Sequence, residues 1–374
     1  MFLALKEMRH SKTRFVMIGI ILVLISWLVF ILSGLGNGLA ALAAATFKNM
    51  AADYVVFEKG SKASMSKSLL SGDLTAELLE IPDVEAASPM GIIMASAVKE
   101  NGGQEENKLD IALIGIEPGS FLEPAVAEGT GLDAAQPTYA IVNETMKDEG
   151  FRLGDTFALD GTTESLTIVG FVKNQTYNHV TSVFIPIETW RKLAFAAPGS
   201  DQGIKDPVNA IMLQGKDIDP NAVSERLPGT ETVTRAQAVQ GIAGYKEETG
   251  TVFMMLGFLF VISAFIVGVF FYVLTMQKSN QFGIMKAIGA KNGFLGKAVI
   301  SQVFVLSLVS IVIGILLTYG TAAVLPKGMP FKLETGWVIA YSLVLLAIAL
   351  LSSLVSVRTI VKVDPLKALG RVES

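Results

Sequence analysis

The chain has 374 residues, 51% hydrophobic and 17% charged, with a formal net charge of −4. A mean hydropathy of +0.52 excludes an ordinary soluble enzyme. The absence of cysteine excludes a disulfide framework, thiolate metal sites and a cysteine nucleophile.

The first element in chain order is an uncharged run over 15–47, preceded by Lys6, Arg9, Lys12 and Arg14 against Glu7. As a helix it would be about 50 Å long, more than the roughly 20 residues that cross about 30 Å of hydrocarbon. The excess suggests a helix that leaves the membrane as a stalk; tilt or an apolar connector fits the same pattern. The string GLGNGLAALAAA (34–45) suits close helix packing within such a stalk. The basic start and ALAAAT also resemble a secretory signal, but the run is too long for one and three more follow.

Residues 48–250 read as a mixed α/β domain. DYVVFEKG (53–60) is β-rich, and SGDLTAELLEIPDVEAA predicts a capped helix running into a turn. LDIALIGI (109–116) and TYAIVNETM (138–146) read as strands. The stretch 150–172 predicts two strands joined at Asp160-Gly161, and SVFIPIETWRKLA a strand entering a helix. The domain closes on AGYKEETG (243–250), after which no charge occurs until Lys278.

Three more spans are expected over 251–277, 298–326 and 337–357, each uncharged. The chain therefore reads as a polytopic α-helical membrane protein with four spans, two of them extended as a stalk, plus a mixed α/β extracellular domain. Its segments are 1–47, 48–250 and 251–374. Between the second and third spans, Gly293, Gly296 and Lys297 approach a phosphate loop. Lys291 stands where its first glycine belongs, and Ala298 where Ser or Thr would bind Mg²⁺. No ATP site is expected here, so ATP and Mg²⁺ belong to another subunit. The stretch Gly283, Ile284, Met285, Lys286, Ala287, Ile288, Gly289 predicts a short helix, bounded by its glycines, with Lys286 exposed. It suits docking on another protein or lying on a membrane surface.

Charge sets the orientation. The segment before span 1, the loop 278–297 and the tail from 358 together hold 12 basic and 3 acidic residues, whereas 41–250 holds 16 basic and 30 acidic. Short basic segments stay inside, so both termini are expected in the cytoplasm and the large domain outside.

Several stretches now carry a resemblance. QKSNQFGIMKAIGAKNGFLGKAVISQ, the closing VDPLKALGR (363–371), LGDTF and TIVGFV resemble the permeases of the MacB/FtsX-like ABC transporter superfamily. FKNMAADYVV, KNQTYNHVTSV and SAFIVGVFFYVLTMQKSNQFGIMKAIGAK are similar to its HrtB-type haem-exporter permeases. Asn280 and Gln281 depart from the Arg-Glu pair common in the wider superfamily, and Gln302 from a usual glutamate. The resemblance implies a homodimeric permease in a bacterial plasma membrane, working with two copies of an ATPase subunit that press on 283–289. Its cargo would be haem, met in membrane lipid and expelled mechanically; a nucleic-acid partner is not implied. Uncharged spans agree, because a polar conduit needs ionisable lining. The same machinery also suits antimicrobial peptides, macrolides or lipids, or a non-transporting signalling role toward an extracellular partner.

Haem would meet Ala243–Gly250 at the outer leaflet boundary. Carboxylate and phenolate oxygens suit ferric iron, and weak oxygen ligands suit a site that must release its cargo. Candidate haem-binding residues are Glu248, Tyr245, Glu247, Phe47, Tyr177 and Met255, with Glu248 the ligand of the haem iron. Glu248 is favoured over Glu247 because it lies nearer the membrane and matches the resembling Y-x-x-E spacing from Tyr245. In a homodimer its two copies could face each other, and Lys246 could pair with a propionate. Blander readings stand beside these. Glu247 and Glu248 suit a solvated helix start, Tyr245 an interfacial anchor, and Met254 and Met255 plain packing. His179 is either an iron ligand or an exposed loop residue.

Overall fold

A computed structural model describes residues 12–99, 108–162, 164–326 and 329–361. Lys6, Arg9 and the closing VDPLKALGR lie outside these residues. The chain divides into two compact units, Leu39–Glu248 and the remainder. Helix α1 (Lys12–Asn49) contributes to both units. It is not continuous: Ala44 has φ −139° and ψ 15°, so the helix is broken there, against the expectation of an unbroken stalk.

The outer unit begins with β1 (Tyr54–Glu58), β2 (Leu70–Ser71) and α2 (Leu74–Leu78). Asp73 precedes α2 but does not cap it, contrary to expectation; Lys205 Nζ takes both its carboxylate oxygens, at 2.9 and 3.1 Å. There follow β3 (Ala86–Lys99), β4 (Lys108–Ile116), β5 (Val126–Gly129), β6 (Tyr139–Asn143), β7 (Thr156–Leu159) and β8 (Ser165–Val172). Then come β9 (Thr176–Tyr177), β10 (Val180–Pro186), α3 (Ile187–Ala194), β11 (Pro207–Val208), β12 (Ala210–Gln214), α4 (Pro220–Arg226), β13 (Thr230–Thr234) and α5 (Arg235–Gln240).

The main sheet runs β13-β1-β12-β3-β4-β10-β6-β8-β5. Strand β7 pairs with both β3 and β8, which closes a circuit β3-β4-β10-β6-β8-β7. The pairs β4–β10 and β6–β8 are parallel. Strand β4 explains why LDIALIGI lacks alternation. Ile111 and Leu113 enter one core and Ala112, Ile114 and Ile116 the other, so both faces are covered. Trp190 on α3 lies over Gly91 and Gly115, where any Cβ would come within 2.4 Å of it. The second core takes in the outer end of α1, through Ala43, Ala44 and Phe47, and Met50 just beyond it.

In the membrane unit, α6 (Tyr245–Gln277), α7 (Ser279–Ala287), α8 (Asn292–Val324) and α9 (Thr335–Val361) follow. Helices α1, α6, α8 and α9 are long and apolar enough to span a membrane. Phe253, Phe258, Val261 and Phe265 of α6 are exposed at 57 to 72%, a surface that suits lipid tails. Helices α1 and α8 pack closely: a Cβ on Gly314 would lie 2.7 Å from that of Ser26, and Trp27 Nε1 donates to Thr321 Oγ1 at 3.1 Å. The small-residue string on α1 serves two neighbours. Gly36 admits Val252, whereas Gly34 and Gly38 admit the loop residues Phe331 and Pro330, and Lys332 N–H donates to Gly34 O at 2.9 Å.

Candidate functional site

The site forms inside the outer unit, where the broken end of α1 meets a hairpin and the head of α6. The break at Ala44 frees the carbonyls of the preceding turn, and such groups need donors. Strands β9 and β10 supply them. They pair at Tyr177–Val180 and are joined by Asn178 and His179 alone. Asn178 N–H donates to Ala43 O at 2.8 Å, His179 N–H to Leu42 O at 3.3 Å and Thr176 Oγ1 to Ala41 O at 3.4 Å. Asn178 and His179 have φ of +49° and +67°, the conformation a two-residue hairpin with the strand twist requires. Asn suits it; glycine is the usual second residue, and His179 stands there instead.

Beyond the break, Phe47 is 1% exposed and packs on Tyr177, ring centroids 5.7 Å apart. Thr46 and Ser182 share a buried hydroxyl bond at 2.8 Å. Asn49 Nδ2 donates to Asn174 O at 2.7 Å. Arg235, at the start of α5, donates to the carbonyls of Lys48 and Met50, a cation at a helix C-terminus. Thr234 and Gln237 form the capping box that starts α5.

Helix α6 opens at Tyr245. That residue is 7% exposed, and Lys48 Nζ lies 5.1 Å over its ring. Glu247 is exposed and Glu248 half-buried, so the two adjacent carboxylates differ in environment. His179 Nε2 donates to Glu248 Oε1 at 3.0 Å. Glu248 Oε2 is buried and accepts no hydrogen bond.

The structure thus brings together Phe47, Tyr177, Tyr245 and Glu248, and adds His179. Burial pushes the Tyr177 phenol up to about 12, and its ring packs in the core. Met255, 47% exposed, and its neighbour Met254 belong to the membrane unit. Among the described residues no three His, Asp or Glu side chains form a metal-holding group. His179 was the residue that sequence reasoning undervalued. The available signal was a histidine in a turn position that favours glycine.

The 283–289 stretch differs from its expected form. Helix α7 starts earlier, at Ser279, and Gly283 is buried within it. Gly289, φ +103°, ends it: Ala290 N–H donates to Met285 O and Gly289 N–H to Lys286 O, both at 2.9 Å, a Schellman arrangement. Lys286 is half-buried, not exposed. The residues that project are apolar, with Ile284 at 40%, Ile288 at 82% and Phe294 at 57% exposure. Gln302 is buried on α8.

Comparison with known proteins agrees in kind with this organisation. Residues 15–229 match the MacB-like periplasmic core domain, and residues 253–365 the FtsX-like permease C-terminal region. A Staphylococcus haemolyticus protein named as a hemin transport system permease, HrtB, is 27% identical over 373 residues, covering 100% of both chains. An uncharacterized ABC transporter permease of Mycobacterium tuberculosis is 26% identical over 373 residues, covering 99% of both. The crystal structure of the periplasmic region of MacB from Actinobacillus actinomycetemcomitans is 14% identical with a TM-score of 0.38, covering 50% of this chain and 91% of that one.

Proposed function

This chain belongs to the MacB/FtsX-like family of ABC transporter permeases, and from that premise we propose that it exports haem from the outer leaflet of the plasma membrane. One observation carries the reading: folding brings a histidine and a glutamate 69 residues apart to 3.0 Å at the head of a membrane-crossing helix. Carboxylate oxygen suits ferric iron, and Glu248 is the carboxylate at that head. The relative named for hemin transport covers the whole chain, which supports the same cargo.

In this reading the cargo is a flat apolar plate already dissolved in lipid, and it reaches Glu248 sideways from the membrane. Two protomers each contribute one Glu248. Phe47, Tyr177 and Tyr245 hold the carboxylate's surroundings rigid through their packing. Exposed Lys246 is the cation that would pair with a propionate. Both termini face the cytoplasm, where two copies of an ATPase subunit hydrolyse ATP with Mg²⁺. They engage α7, whose projecting Ile284 and Ile288 offer an apolar docking edge. Their closure moves α1 and α6 and expels the cargo.

The test is a titration of the detergent-purified full chain with haemin, followed by the Soret band. Glu248→Ala is expected to weaken binding about tenfold or more, and Glu247→Ala to leave it nearly unchanged. Equal binding by wild type and Glu248→Ala would remove the glutamate from the reading.

A further inference from the structure

We propose that His179 is a displaceable latch on Glu248. It holds the carboxylate while no cargo is present, and capture of cargo at Glu248 frees the head of α6 from the hairpin tip. The inference rests on the reading of Glu248 as the cargo ligand.

The two oxygens of Glu248 differ, on a side chain that is 39% exposed. Oε2 is buried, and Oε1 accepts from His179 Nε2 at 3.0 Å. A large planar ligand that bonds to this carboxylate through Oε1, the oxygen that is not buried away, competes with the imidazole for it. The exchange balances simply. Oε1 gives up the hydrogen bond and donates a lone pair to ferric iron, the water or anion held at that axial position leaves to solvent, the imidazole keeps its proton, and no electron moves.

The turn that carries His179 adds a second argument. Its φ of +67° follows another left-handed residue, Asn178, and a non-glycine residue there carries backbone strain. Strain of this kind persists where the surrounding structure imposes it, and here the two N–H bonds to α1 fix the turn and hold the imidazole toward Glu248. The same residue also touches α1, but through its backbone: His179 N–H donates to Leu42 O and Asn178 N–H to Ala43 O. The tip thus grips α1 with groups a ligand cannot compete for, and α6 with one that it can. Losing the ring contact frees Glu248 from the hairpin tip while Tyr245 stays packed in the core, and so reports that cargo is bound.

The experiment is the haemin titration on the full chain, extended to His179→Gly and His179→Gln and paired with hydrogen–deuterium exchange over 245–248. Glycine suits the left-handed turn, so the fold is kept while the ring is removed; glutamine keeps an N–H donor. His179→Gly is expected to bind haemin roughly three- to tenfold tighter, with exchange at 245–248 already raised before haemin is added. His179→Gln is expected to stay near wild type, in which haemin itself raises that exchange. If Glu248→Ala weakens binding while His179→Gly binds no tighter than wild type, the latch is overturned and the cargo reading survives. If Glu248→Ala leaves binding unchanged, both fall together.

Discussion

Two helices enter the outer domain, and they are held there by different means. The end of α1 is anchored by backbone and by bulk: its freed carbonyls accept from Asn178 and His179, Arg235 covers its last turn, and Phe47 is 1% exposed. The head of α6 presents two carboxylates, and one of them is held by a single imidazole. Backbone bonds of this sort survive most substitutions and offer a ligand nothing to replace. A carboxylate on a half-exposed side chain can change partners. At the head of α6 the buried Tyr245 supplies the packing, and the Glu248–His179 pair is the contact that the latch proposal makes exchangeable.

That contrast has measurable consequences in thermal unfolding of the detergent-purified full chain. Phe47→Ala empties a filled position against Tyr177 and is expected to cost about 3–5 kcal/mol. The next effect is alkaline. The Tyr177 phenol is raised from 10.0 to about 12 by burial, so the folded state holds this proton more tightly than the unfolded one. Stability from this group is complete below pH 10 and is lost as pH rises through about 12, by roughly 3 kcal/mol in all. Tyr177→Phe should remove that part of the alkaline slope, and an unchanged slope would show that the phenol is not held inside. At the α6 head, Glu248→Gln is expected to change stability by less than about 1 kcal/mol, as befits a pair with side chains 33% and 39% exposed. A Phe47→Ala cost no larger than that of Glu248→Gln would erase the distinction between the two attachments.

How far the sequence could be read depends on how local each signal is. The strand at LDIALIGI and the hairpin around Asp160-Gly161 were legible, since an unbroken apolar run and an Asp-Gly turn are local features. Strand β3 was not. Its AASPMGIIMASAVK is poor in β-formers, and it is a strand because β4, β12 and β7 pair with it. Gly283 looked like a boundary but lies buried within α7, because the helix extends back to Ser279. The break at Ala44 gave no warning either, because alanine is the best of helix formers and nothing in the run interrupts it.

Apolar length and the placement of lysine and arginine were enough to establish four spans, an expected orientation and a large mixed domain between the first two. Those properties follow from transfer between water and lipid, which acts residue by residue along the chain. Glu248 was already favoured over Glu247 by its position and spacing, but pairing it with His179 and burying Tyr177 required the folded chain. These depend on which segments meet across 69 or more residues, and contacts at that range are made by the packed core as a whole.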